Sequence, residues 1–76
     1  MRETTIKDHL RTKPFRPFRL HVSDGASYDI QDPDSIFVLT GRVILGSEPD
    51  EAGIPQKAIY IDPIHVTRIT PINGGA

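Results

Sequence analysis

The chain has 76 residues, enough for one domain at most and near the small end of what folds unaided. It has no cysteine, a 37% hydrophobic and 25% charged composition, and a net charge of -1; this excludes a disulfide scaffold, a thiolate metal centre, a disordered chain and a global field favouring nucleic acid. No apolar run approaches the roughly 20 residues that span a bilayer, and the opening Met-Arg-Glu-Thr-Thr lacks the apolar stretch of a signal peptide, so a cytoplasmic protein with no membrane partner is expected.

Isoleucine and valine together number fourteen against four leucines, and seven prolines and six glycines punctuate the chain. β-branched side chains suit a pleated surface, so short strands joined by tight turns are expected. Charge is divided along the chain. Residues 1–19 carry six basic and two acidic side chains, and residues 20–76 carry three basic and eight acidic ones. Either the two parts neutralise each other, within one molecule or between neighbours, or the basic end grips an anion.

Thr5-Ile6-Lys7-Asp8 has the form of a capping box, and Ile6 and Leu10 lie one turn apart on one face. Pro14 forces Lys13 out of the helical region, which predicts a short helix over 4–13. Residues 14–17 are then an extended connector, with Phe15 and Phe18 as core anchors. Phe18, Leu20 and Val22 alternate inward with Arg19, His21 and Ser23 outward, Asp24-Gly25 reverses the chain, and Tyr28 and Ile30 resume the inward pattern.

Asp32-Pro33-Asp34 breaks or bends the second strand. The apolar run 35–39 predicts a strand covered at least partly on both faces, and Thr40-Gly41 turns it into an answering strand at 42–45. Residues 46–57, rich in acids, glycine and proline, read as an exposed loop from which Ile54 reaches back to the core. A strand follows at 58–62. Asp62-Pro63 then starts a single helical turn whose Ile64 plugs the end of the barrel, and 66–70 closes the sheet before a frayed tail at 73–76.

The element order resembles that of the SH3-like small barrels, and the leading helix with the Ile59-Tyr60-Ile61 and Val66-Thr67-Arg68-Ile69 segments looks more like the Sm-like version. The expected fold is therefore mainly β: a small barrel of about five antiparallel strands over 18–72 with a short N-terminal α-helix. An open roll of four or five strands gives the same string. At the level of words, Pro14-Phe15-Arg16-Pro17-Phe18-Arg19-Leu20-His21-Val22-Ser23-Asp24-Gly25 and Ile64-His65-Val66-Thr67-Arg68-Ile69 resemble a family of short uncharacterised bacterial proteins with a PFRPFRLHLSDG-like opening and an HITRIEPL-like ending. That family has no assigned activity, so the resemblance implies one compact domain and no chemistry. Thr70 departs from the family's ending, where an acid is common, and the segment 46–57 is long for it.

Catalysis needs a nucleophile with a base, or paired carboxylates in a cleft, and neither pattern is present. Ser23, Ser27, Ser35 and Ser47 sit beside turns without a nucleophile elbow, and there is no phosphate-binding glycine loop. His9, His21 and His65 have no ligand spacing, and Asp29, Asp32 and Asp34 read as turn caps rather than a calcium loop. No enzyme, metal or cofactor is expected. What remains is a protein-interaction or self-associating module, in which Arg16 or Arg19 meets Asp29 or Glu48 of a neighbour. The alternative is Sm-like RNA binding through the basic N-terminal segment. Arg11, Lys13, Arg16, Arg19, His21 and Arg68 are the candidate contacts for an anion or a partner.

Overall fold

The computed structural model describes residues 1–72; the tail expected to fray lies outside them. A helix, α1 (Glu3–Arg11), precedes six strands: β1 (Phe18–Val22), β2 (Ser27–Ile30), β3 (Ile36–Leu39), β4 (Arg42–Pro49), β5 (Pro55–Ile61) and β6 (Val66–Pro71). Single 3-10 turns at Pro33–Ser35 and Pro63–His65 lead into β3 and β6. The strands form two three-stranded antiparallel sheets, ordered β2-β1-β6 and β3-β4-β5. No ladder joins the two sheets among the described residues, and the strand count is six rather than about five.

The core lies between the sheets. Phe18, Leu20, Ile30 and Val66 from the first sheet meet Ile36, Val43, Leu45 and Ile61 from the second, and Ile6 of α1 joins them with no exposed surface. These are the inward positions of period-two strands, so the alternation of β1 is seen directly in its burial. Phe15, Leu10 and Tyr28 are half-buried against the same cluster, as expected of them.

The helix differs from expectation at its start. It begins at Glu3, its N-cap is Arg2 with no side-chain cap, and Thr5 lies inside it rather than at its head. Three tethers replace the capping box. The Met1 ammonium donates to the carbonyls of Pro63 at 2.8 Å and Val66 at 3.1 Å. The Glu3 carboxylate accepts from the Gly41 amide at 2.6 Å, in the turn between β3 and β4. Hydrogen bonding to its own amide first, and to that of Gly41 second, holds the Glu3 carboxyl below the usual carboxylate range. The helix ends at Arg11 ahead of Pro14, as the proline demands.

Both hairpin turns form as read. Gly25 and Gly41 take φ values of 94° and 75°, and the Asp24 carboxylate accepts from the Ala26 amide at 2.8 Å. Asp32 caps the first 3-10 turn by accepting from Asp34 N at 2.9 Å, and Asp62 caps the second by accepting from Ile64 N at 3.1 Å.

Three further expectations fail on the way to β6. The segment 46–57 is not a loop, because β4 runs on to Pro49 and β5 starts at Pro55; only 50–54 turns, around an Asp50 carboxylate that accepts from Ala52 N and Ile54 N at 2.9 Å each. Ile54 stands in solvent on that tip and does not reach the core. Ile64 is 74% exposed, and Pro63, at the start of the turn that Asp62 caps, is the residue buried in its place.

Candidate functional site

The outer face of the first sheet is polar. Register sets Arg19 between Asp29 of β2 and Thr70 of β6, and His21 between Ser27 and Arg68. The Arg19 guanidinium donates to both carboxylate oxygens of Asp29, at 2.6 and 3.2 Å. This bidentate bond holds the Asp29 carboxyl below its ordinary range, with the partial burial of the group opposing it. Both groups are more than a third exposed, so the pair contributes little to stability. Its contribution is present above the usual carboxylate range and fades as pH falls through the lowered value. Arg19→Gln should return the Asp29 titration, followed by carboxyl NMR, upward toward that of an ordinary aspartate; an unchanged midpoint would show that the pair does not persist in solution.

His21 is also engaged: its Nε2 lies 2.9 Å from Thr70 Oγ1, and its carbonyl accepts from the Thr67 hydroxyl at 3.2 Å. Arg68 is exposed beside it. Arg11, Lys13 and Arg16 lie elsewhere, at the end of α1 and along the connector, exposed and without an ion-pair partner among the described residues. The six candidates thus form two groups rather than one patch. The contacts expected between neighbours are partly satisfied within one molecule, since Asp29 binds Arg19 and Glu48 binds Lys57 at 3.1 Å. The three histidines are separate. His9 packs its ring 5.3 Å from that of Phe18, and His65 Nδ1 lies 3.2 Å from Ser23 Oγ. No group of three metal-ligating side chains exists among the described residues.

The second sheet has the opposite character. With Ile36, Val43, Leu45 and Ile61 inside, alternation places Phe37, Ile44 and Tyr60 on the outer face, and register aligns them in one row across β3, β4 and β5. Phe37 is 63% and Tyr60 65% exposed. Leu39 is exposed beside Arg42, whose guanidinium carbon stands 5.9 Å from the Tyr60 ring centroid. The run 35–39 is therefore covered on one face, not on both. The α-helix docks by Ile6 into the core, and among the described residues nothing covers Phe37 or Tyr60.

Between the sheets, strands β2 and β5 are free edges. Two clefts open along this seam, of about 460 and 300 Å³, with Tyr28 of β2 and Ile59 of β5 in the walls of both. The larger is lined by the Arg19–Asp29 pair and by Leu45 to Pro49; the smaller has Asp24, Tyr60, Asp62 and His65 around it. No helix among the described residues is long and apolar enough to cross a membrane. Comparison with protein-family models, curated proteins and solved structures gave no match.

Proposed function

We propose that the chain is a non-catalytic protein-interaction module that self-associates through the outer face of the β3-β4-β5 sheet. The row Phe37–Ile44–Tyr60, its two rings exposed and Ile44 half-buried between them, carries this reading. Adjoining aromatic and aliphatic side chains left in water on a small domain mark a contact surface, and two rings of this size supply much of the apolar area of a modest interface. A second copy is the occupant. Arg42 opens β4 and Glu48 lies near its end, both exposed, so a two-fold-related copy laid antiparallel on this face sets each Arg42 toward the other's Glu48, where it would share the carboxylate with Lys57. The order of helix, hairpin, three-stranded meander, 3-10 turn and last strand supports an SH3-like, Sm-like frame for this module.

Light scattering up to millimolar concentration at low salt tests the reading. The chain should gain mass with concentration, and a Phe37→Glu, Tyr60→Glu double variant should stay monomeric with an unchanged circular dichroism spectrum. A wild-type chain that remains monomeric throughout would overturn it. The alternative, RNA binding through the basic N-terminal segment, draws support from Arg11, Lys13 and Arg16, which have no ion-pair partner among the described residues. It requires retardation of single-stranded RNA that weakens steeply with salt.

A further inference from the structure

We propose that the smaller cleft between β2 and β5 is a site for a cationic side chain, filled by the basic connector of a second copy. This rests on the self-association reading and adds a charged contact that adjoins the sheet face at Tyr60. The cleft, of about 300 Å³, is lined by Val22, Ile59 and Ile61, by two tyrosines, Tyr28 and Tyr60, and by two acidic residues, Asp24 and Asp62. No lysine or arginine lines it, and the remaining titratable group, His65, is paired with Ser23.

Both carboxylates are fixed by backbone amides of their own turns, Asp24 by Ala26 N at 2.8 Å and Asp62 by Ile64 N at 3.1 Å. In each only Oδ1 is engaged by these bonds, and a carboxylate has acceptor sites for more than one donor. Tyrosine faces attract a guanidinium or ammonium, and Tyr60 already holds the Arg42 guanidinium within 5.9 Å of its centroid. Apolar walls suit the alkyl stem of such a side chain, and acidic residues on the same cleft suit its head.

The connector of another molecule meets these requirements. Arg11, Lys13 and Arg16 are exposed and without an ion-pair partner among the described residues. The molecule's own connector is held at the far end of β1, where Pro17 O accepts from Ile72 N at 3.3 Å and the Phe15 ring packs 6.0 Å from that of Phe18. The cleft lies beyond Val22 at the other end of that strand, roughly 13 Å along it. The contact is therefore head to tail, and it joins the basic start of one copy to the acidic body of the next.

A peptide corresponding to residues 11–18, titrated into the isotopically labelled chain at low salt, tests this by NMR. Kept dilute enough to stay monomeric, the chain should show shifts centred on Asp24–Tyr28 and Ile59–His65. Binding should weaken about tenfold in an Asp24→Asn, Asp62→Asn variant, whose side chains still cap their turns, or when Lys13 and Arg16 of the peptide are replaced by glutamine. Absence of shifts at the cleft, or equal binding by the asparagine variant, would overturn the proposal. If the wild-type chain still associates in light scattering while the peptide leaves the cleft untouched, the cleft assignment falls and the sheet-face reading stands.

Discussion

Ile6→Ala should unfold the chain or bring it close to unfolding. Ile6 is the one fully buried side chain of α1 and sits in the shared core of both sheets. Truncating a buried isoleucine to alanine costs about 2–5 kcal/mol, against a total stability of roughly 5–15 kcal/mol for a domain and less for one this small. A nine-residue helix has no independent stability, so weakening its anchor melts it rather than moving it. Chemical denaturation followed by circular dichroism should show a lower midpoint and loss of the helical signal at low denaturant. A cost under about 1 kcal/mol would mean that the Met1 and Glu3 tethers, not burial, hold the helix.

Gly46→Ala should be the next most damaging small change. Gly46 needs no unusual backbone angle; it needs the absence of a side chain. A Cβ there would stand 2.6 Å from Cγ and 2.8 Å from Cβ of Pro55, whose ring cannot swing aside. The alanine must push the two arms of the β4–β5 hairpin apart, at a cost of about 1–3 kcal/mol. Pro55→Gly removes the obstacle, so the alanine should cost much less in that background, and the coupling can be read from a double-mutant cycle. Additive effects would place the crowding elsewhere.

Features set by neighbouring residues were legible in the sequence. Asp24-Gly25 and Thr40-Gly41 announce their reversals because only residues that tolerate positive φ fit there, and Asp62-Pro63 announces its turn because the carboxylate and the ring each suit a helix start. Features set by partners distant in the chain were not. Glycine, proline and acids made 46–57 look like a loop, yet β4 and β5 pair through it, and Pro49 and Pro55 face each other at the end of the ladder where neither needs a donor. The run 35–39 has the same composition whether one face is covered or two, so the exposure of Phe37 depended on whether another element lay over it. At the candidate site, the basic side chains could be named, but only the register between β1 and β2 shows that Arg19 is already matched to Asp29 while Arg16 is not.

The β1–β6 ladder joins Phe18 to Pro71, the first strand to the last. The hairpins close over short turns and can assemble as soon as their own residues are available, whereas this ladder must draw residue 71 back to residue 18. During synthesis, β1 therefore leaves the ribosome with one edge bare and keeps it bare until the final strand emerges. A growing chain is most open to mispairing at that edge, and whatever engages it early competes directly with β6.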